Sequence, residues 1–241
     1  MCAAALTRQE EVAAREKLIV ALDVATLRDA EALVTSLGDT VSFYKIGLEL
    51  AYGGGLSFAQ DLIKDGKTIF LDLKLHDIPV TVSRACAQVA GSGARFLTVH
   101  AYPQTMRAAK SAVAGSPLLI LGVTVLTSYD NHDLSEAGYA YGVEGLVARR
   151  AAQACEAEID GLILAAGEVA AIRASLGRKL ILVTPGIRPE GSAAADQKRT
   201  MTPAAAIAAG ADYLVVGRPV TQAKHPREAA EAIVADIASA P

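Results

Sequence analysis

The sequence has no tryptophan, few other aromatic residues and no excess of positive charge. Phe, Trp and Tyr together make up 5% of its 241 residues, and the formal net charge at pH 7 is −3. Proteins that bind single strands use aromatic side chains as stacking platforms, and nucleic-acid-binding surfaces in general are basic. These two absences argue against nucleic acid as a partner.

Cysteine and long apolar segments are also scarce. Cys2, Cys86 and Cys155 show no metal-ligand spacing, and their number is odd, so we expect a reduced, cytoplasmic protein. No apolar run approaches the roughly 20 residues of a membrane span, which predicts no membrane association. The first residues, MCAAALTRQEEVAAREK, become charged too early for a signal peptide, and we expect a short leading helix there.

The chain instead contains short apolar runs that alternate with alanine-rich stretches. Nearly continuous apolar runs are typical of parallel strands covered on both faces. Gly38 and Gly210 each follow one of these stretches, and Pro103 and Pro203 stand where a stretch begins, as expected for helices. The eight predicted strands are Leu18–Leu22, Val41–Ile46, Thr68–Leu73, Arg95–Val99, Leu118–Val125, Gly161–Leu164, Leu180–Val183 and Tyr213–Val216.

This alternation predicts an α/β fold, a single (β/α)8 TIM barrel over residues 1–241, with a doubly wound open sheet as the alternative. No linker rich in Pro, Ser or Gly divides the chain, which favours one domain. The longest polar stretch, residues 184–202, predicts a binding loop or lid.

Charged residues occur where the first three strands are predicted to end. Asp23 follows the first strand, Lys45 ends the second, and Asp72 and Lys74 end the third. Because the active site of such a barrel lies at the carboxyl ends of its strands, these side chains are candidate site residues. Asp72 and Lys74 alone are consistent with a structural ion pair. With Asp23, Lys45 and Asp77 they form an alternating array, and that much buried charge favours a functional site.

The loops after the seventh and eighth strands supply residues suited to binding an anion. Backbone N–H groups at glycine and the forked guanidinium of arginine bind phosphate, and barrels use these two loops for that purpose. The candidates are Gly186, Arg188, Gln197, Gly217 and Arg218.

Several motifs together resemble the bacterial orotidine 5′-phosphate decarboxylases, nearly end to end. They are LIVALD, YKIGLEL, FLDLKLHDIPVTV, TVHA, VTVLTS, VTPGIRPEGSAAADQKRTMTP and YLVVGRPVTQA. Asp72-x-Lys74-x-x-Asp77 matches the catalytic signature of that family. Two groups of metal-dependent barrels, the 3-keto-gulonate-6-phosphate decarboxylases and the hexulose-phosphate synthases, share this signature but carry Glu at the position of Lys45. Lys45, the LTS motif and the DQ-R loop therefore favour the orotidine phosphate enzymes.

The resemblance implies a reaction and an assembly. The reaction converts orotidine 5′-phosphate to UMP and CO2 in de novo pyrimidine synthesis, without a metal or organic cofactor. The resemblance also implies a homodimer in which Asp77 and Thr81 reach across the interface into the neighbouring site.

Under that resemblance each candidate residue has an expected role. Lys74 protonates the C6 carbanion, while Asp72 either repels the substrate carboxylate or positions the two lysines. Asp23 and Lys45 bind the ribose, and Thr127 recognises the pyrimidine. The expected phosphate ligands are Arg188, Gln197, Gly217 and Arg218.

Other assignments stay open at this point. His76 lies inside the signature and is either an acid catalyst or a packing or interface residue, and His100 is a candidate for a supporting role. The four histidines show no metal-ligand spacing. A metal-dependent sugar-phosphate enzyme and a catalytically inactive nucleotide-binding barrel are the alternative functions.

Overall fold

The computed structural model of the chain describes residues 8–190 and 200–240, whose strands close into a barrel. Eight parallel strands follow one another in chain order, and the last pairs with the first. The predicted barrel is therefore confirmed and the open sheet is wrong. The strands are β1 Leu18–Ala21, β2 Phe43–Ile46, β3 Thr68–Leu75, β4 Phe96–His100, β5 Leu119–Val123, β6 Gly161–Ile163, β7 Ile181–Thr184 and β8 Tyr213–Val216.

Helices connect the strands and cover the outside of the barrel. A π-helical turn, Ala51–Gly55, joins α3 to α4. The helices are α1 Arg8–Lys17, α2 Leu27–Leu37, α3 Leu48–Leu50, α4 Leu56–Lys64, α5 Pro79–Ala90, α6 Pro103–Ala112, α7 Asn131–Glu136, α8 Val143–Glu156, α9 Ala166–Leu176, α10 Pro203–Ala208, α11 Arg218–Thr221 and α12 Pro226–Ala238. Within the described residues, no helix is long and apolar enough to cross a membrane.

Local sequence signals account for several helix ends. Pro103 and Pro203 begin α6 and α10, where the missing backbone N–H of proline would have no partner in the helix in any case. Gly38 follows α2 with φ +53°, and Gly210 follows the end of α10 with φ +106°. Both conformations favour glycine because a Cβ atom disfavours positive φ, and the predicted helix ends are therefore confirmed.

The apolar core has two parts. One lies between the strands and the surrounding helices, and the other fills the barrel interior. In the interior the ring of Phe96 contacts those of Phe43, Phe70 and Tyr213, with centroid separations of 5.4, 5.9 and 5.3 Å. Because these rings fill the interior, the cavity of the barrel is left at the carboxyl ends of the strands.

The predicted polar loop after β7 begins one residue later than expected, because Thr184 is the last residue of the strand. Ile187 then pairs with Met201 in an isolated parallel bridge, and Arg188 N donates to Met201 O over 2.9 Å. These contacts hold the two ends of the loop together beside the carboxyl end of β7.

Candidate active site

A cavity of about 470 Å³ opens at the carboxyl ends of the strands. Its floor is apolar and consists of Phe70, Val123, Ile163 and Val215 from the barrel interior. Charged residues line one side, and glycine and arginine from the β7 and β8 loops line another. The volume is in the range of small-molecule sites, so the cavity suits a compact polar ligand.

Four of the predicted charged residues meet in one alternating array. Lys45 Nζ lies 2.8 Å from Asp23 Oδ1 and 3.5 Å from Asp72 Oδ2. Lys74 Nζ lies 2.9 Å from Asp72 Oδ1. The order Asp23–Lys45–Asp72–Lys74 thus follows the strand ends β1, β2 and β3, and each inner member contacts two opposite charges.

Burial and charge pairing act in opposite directions on the two inner residues. Burial alone would lower the pKa of Lys45, but the carboxylates of Asp72 and Asp23 outweigh it and raise that pKa above its usual value. Burial alone would raise the pKa of Asp72, but Lys45 and Lys74, with hydrogen bonds from Lys74 and Thr98, hold that pKa below its usual value. Both side chains are therefore charged at neutral pH.

The end of β3 is irregular, and this irregularity builds part of the array. Leu71 pairs with Leu97 and Leu75 with Val99, so residues 72–74 of β3 lie opposite the single residue Thr98 of β4. The strand was predicted to end at Leu73, but it resumes after this bulge and ends at Leu75. Bulges often redirect side chains beside active sites, and this one directs Asp72 and Lys74 to the same neighbour.

Thr98 connects the backbone of the bulge to its charges. The Lys74 backbone N–H donates to Thr98 Oγ1, and Thr98 Oγ1 donates to Asp72 Oδ1, both over 2.9 Å. The backbone of Lys74 has φ +48°, in the left-handed region that non-glycine residues seldom adopt. Strained backbone of this kind clusters at functional sites, and the hydrogen bond from Lys74 to Thr98 helps to maintain it.

Gly47 allows the first two charges of the array to approach the chain closely. A Cβ atom at this position would lie 2.8 Å from Asp23 Oδ1 and 3.0 Å from Lys45 Nζ. Any other residue would therefore displace the ion pair between Asp23 and Lys45.

The ammonium of Lys45 fills the space between two carboxylates, those of Asp23 and Asp72. Across residues 8–190 and 200–240, no group of three or more His, Cys, Asp or Glu side chains is arranged to hold a metal ion. The positive groups seen in the array are the ammonium groups of Lys45 and Lys74.

The candidate anion-binding residues gather on the other side of the cavity. Gly186, Arg188, Gly217 and Arg218 all line it. Arg188 is buried, and its Nη1 donates to the carbonyl of Ile187 over 2.8 Å. Arg218 begins α11 directly after Gly217, and both residues line the cavity. Gln197 lies outside the described residues.

Thr127 lines the cavity together with Val125 and Leu126, all in the segment that follows β5. This segment provides a mixed polar and apolar wall between the charged array and the anion-binding side.

Asp77 and Thr81 do not join the array within one chain. Both are exposed, and Asp77 Oδ1 accepts a hydrogen bond from the backbone N–H of Ile78 over 2.6 Å. Between them lie two exposed apolar side chains, Ile78 at 62% and Val80 at 51% exposure.

The two histidines near the site lie beside the array, away from the cavity wall. The ring of His76 stacks on that of Tyr102 with centroids 4.4 Å apart, and its Nδ1 lies 3.3 Å from Thr105 Oγ1. Burial, followed by the charges of His76, Arg150 and Lys74, lowers the pKa of His100.

Sequence reasoning missed three residues that shape the site: Thr98, Gly47 and Arg150. Thr98 is a polar residue inside the apolar strand FLTVH, and Arg150 is a charge on the buried face of α8. Both patterns were available as signals. No sequence pattern indicates the close contact at Gly47, because that contact depends on where Asp23 and Lys45 meet.

Comparison with known proteins gives consistent results over nearly the whole chain. Residues 16–233 match the model of the orotidine 5′-phosphate decarboxylase / HUMPS family. The orotidine 5′-phosphate decarboxylase of a Bradyrhizobium species is 62% identical over 95% of this chain and 95% of its own length. That of Afipia carboxidovorans is 64% identical over 94% and 96%.

A solved structure shows the same similarity in three dimensions. The crystal structure of orotidine 5′-phosphate decarboxylase from Lactobacillus acidophilus superposes with a TM-score of 0.81 at 35% identity, covering 91% of this chain and 98% of that one. The chain therefore belongs to the orotidine 5′-phosphate decarboxylase / HUMPS family.

Proposed function

We propose that the protein converts orotidine 5′-phosphate to UMP and CO2, as a carboxy-lyase of de novo pyrimidine synthesis. The observation that carries this proposal is the array Asp23–Lys45–Asp72–Lys74 at the edge of the cavity. Loss of CO2 from C6 leaves a carbanion that the pyrimidine ring does not readily delocalise. An enzyme without an electron-accepting cofactor must stabilise that charge with fixed positive groups, which the array supplies.

Lys74 is the proposed catalytic residue. Its side chain is 29% exposed and lines the cavity, whereas the side chain of Lys45 is 7% exposed and lies between two carboxylates. An ammonium group next to C6 stabilises the developing carbanion and then transfers a proton to it. Lysine suits both steps because it is a compact cation that is also able to lose a proton.

Asp72 is proposed to hold the two lysines in position. Its Oδ1 accepts from Lys74 and Thr98, and its Oδ2 faces Lys45. These contacts support positioning as its main role. Because the lysines keep it ionised, Asp72 would also repel the substrate carboxylate, and that repulsion disappears as CO2 leaves.

The remaining parts of the substrate are assigned to the other cavity walls. Asp23 and Lys45 are proposed to bind the ribose hydroxyls, and Thr127 the pyrimidine edge. Arg188, Gly217 and Arg218 are proposed to bind the phosphate, together with Gln197. The position of α11 supports this, because many barrels bind phosphate with the β7 and β8 loops and a short extra helix.

We further propose a homodimer in which Asp77 and Thr81 complete the site of a second copy. The exposed apolar side chains of Ile78 and Val80, next to Asp77, support this assembly, since such patches mark association surfaces. Asp77 would then extend the array of the second copy with a further carboxylate.

A cytoplasmic location is the remaining part of the proposal. Cys86 and Cys155 are free thiols, which fits a reducing compartment. Burial raises the pKa of Cys86 to about 11, so this thiol is a packing group with little reactivity.

One assay tests the proposed reaction. Purified protein is mixed with orotidine 5′-phosphate and excess EDTA, and the ultraviolet absorbance is followed. We expect conversion to UMP that persists in the chelator and is lost in Lys74→Ala. A folded wild-type protein that gives no conversion would contradict the proposal, and sugar phosphates with Mg²⁺ would be the next substrates to assay.

A further inference from the structure

Arg150 is a buried charge on a helix face that is otherwise apolar. It projects from the inner side of α8 together with Leu146, Val147, Ala151 and Ala154. Only 7% of its surface is exposed. A buried guanidinium is costly unless its donors are satisfied, so its partners indicate why it is there.

The partners of Arg150 are neutral groups. Its Nη1 donates to the backbone carbonyl of Thr124, and its Nη2 donates to the hydroxyl of Tyr139 over 3.2 Å. The guanidinium also lies over the rings of Tyr102 and Tyr139, with its carbon 4.8 and 5.4 Å from their centroids. The two phenolic oxygens are 2.5 Å apart, which joins these partners into one network.

Thr124 is the first residue after β5 and is held from two sides. Its backbone N–H and its hydroxyl both reach the carbonyl of Ile163 in β6, over 3.1 and 2.9 Å, and its own carbonyl accepts from Arg150. The plane of the next peptide is therefore fixed. Thr127 follows three residues later and lines the cavity.

The same network also contacts the segment that follows β3. The ring of Tyr102 stacks on His76, which lies two residues after Lys74. One guanidinium thus connects the segments that follow β3, β4 and β5.

We propose that Arg150 is a positioning residue that holds the segment after β5, and through it Thr127, in the orientation needed to bind the pyrimidine ring. The inference rests on the proposed assignment of Thr127 to the pyrimidine. Arginine is required because its fork donates to two acceptors while its face packs on an aromatic ring, which a lysine ammonium does not reproduce.

The test compares two ligands that share the ribose phosphate and differ in the base. The Kd values of UMP and of ribose 5-phosphate are measured by calorimetry for the wild type, Arg150→Gln and Arg150→Lys. We expect Arg150→Gln to raise the Kd of UMP roughly tenfold, as for a lost charge-assisted hydrogen bond, and to leave that of ribose 5-phosphate within about twofold. Arg150→Lys should restore part of the affinity. In turnover, KM should change more than kcat.

Tyr139→Phe serves as a second variant, because it removes one acceptor of Arg150 without changing a buried charge. It should weaken UMP binding in the same direction and to a smaller extent. Equal weakening of both ligands, or an unchanged Kd of UMP in both Arg150→Gln and Tyr139→Phe, would overturn the inference.

Thr127→Ala separates this inference from the assignment on which it rests. If Thr127→Ala weakens UMP binding and the Arg150 variants do not, the positioning role is wrong and the pyrimidine assignment stands. If Thr127→Ala leaves UMP binding unchanged, the assignment of Thr127 to the pyrimidine is wrong. The proposal that Arg150 acts through Thr127 is then wrong as well.

Discussion

Thr98 Oγ1 lies 2.9 Å from Asp72 Oδ1 and donates a hydrogen bond to that carboxylate. The same oxygen accepts the backbone N–H of Lys74, also over 2.9 Å. Thr98 is fully buried in β4. One neutral side chain therefore holds both the carboxylate of Asp72 and the backbone of Lys74, the proposed proton donor.

Replacing Thr98 with Val should reduce catalysis without preventing folding. Val has nearly the shape of Thr but leaves the Lys74 N–H and Asp72 Oδ1 without this partner, at a cost of about 1–3 kcal/mol. We expect kcat/KM for orotidine 5′-phosphate to fall roughly tenfold and the Tm to decrease by a few degrees, about 2–4 °C per kcal/mol for a chain of this size. Thr98→Ser keeps the hydroxyl and is the matched control. Equal kcat/KM values for Thr98→Val and Thr98→Ser would contradict the role given to the hydroxyl.

The fold of Lys74→Gly should be more stable than that of Lys74→Ala. Lys74 has a φ of +48°, which glycine adopts readily but which destabilises a residue with a Cβ atom by about 1 kcal/mol. We expect both variants to lack decarboxylase activity, and Lys74→Gly to unfold about 2–4 °C above Lys74→Ala. The Tm values of the two inactive proteins, measured by thermal unfolding, test this prediction. A higher Tm for Lys74→Ala would show that the backbone here is not strained.

Most of the array was predictable, because the positions of three of its members depend on strand order. Asp23, Lys45 and Asp72 lie at or near the carboxyl ends of successive strands, and a closed parallel barrel brings these ends together. Because side chains alternate along a strand, the two-residue spacing of Asp72 and Lys74 also predicted that both lie on the same side.

The bulge at Lys74 was not predictable in the same way. Lysine gives no local signal for positive φ, and the distortion depends on the pairing of β3 with β4 opposite Thr98. The network of Arg150 is similar, because its partners come from segments far apart in sequence. Tertiary contacts of this kind override local propensity, which is why they appear only in the folded structure.

His100 should make the stability of the protein depend on pH near neutrality. Burial, the charges of His76 and Arg150, and that of Lys74 lower its pKa in the folded state, while Asp72 acts in the opposite direction. The unfolded chain therefore binds this proton more readily, so the free energy of unfolding should fall as the pH drops below about 6.5. The free energy of unfolding, measured with urea between pH 5 and 8, should change less with pH in His100→Gln than in the wild type. His132→Gln, which changes an exposed histidine of α7, is the control. If the free energy of unfolding changes with pH equally in His100→Gln and the wild type, His100 is not the source of this pH dependence.

Arg218→Ala should affect only substrates that carry a phosphate. Truncating one partner of a charged hydrogen bond costs several kcal/mol, so we expect kcat/KM for orotidine 5′-phosphate to fall roughly a hundredfold. Decarboxylation of orotidine, which has no phosphate, should proceed at the wild-type rate. If both substrates lose activity to the same extent, Arg218 does not act through the phosphate.

Asp77 allows the proposed dimer to be tested by mixing two inactive proteins. If each site combines Lys74 of one copy with Asp77 of the other, a mixed dimer of Lys74→Ala and Asp77→Asn contains one intact site. Random exchange makes about half of the dimers mixed, each with one of its two sites intact, so about a quarter of the wild-type activity should return. Unfolding and refolding the two proteins together, with each refolded separately as the control, measures this recovery. No recovery from a mixture shown to contain mixed dimers would mean that Asp77 does not act across the interface.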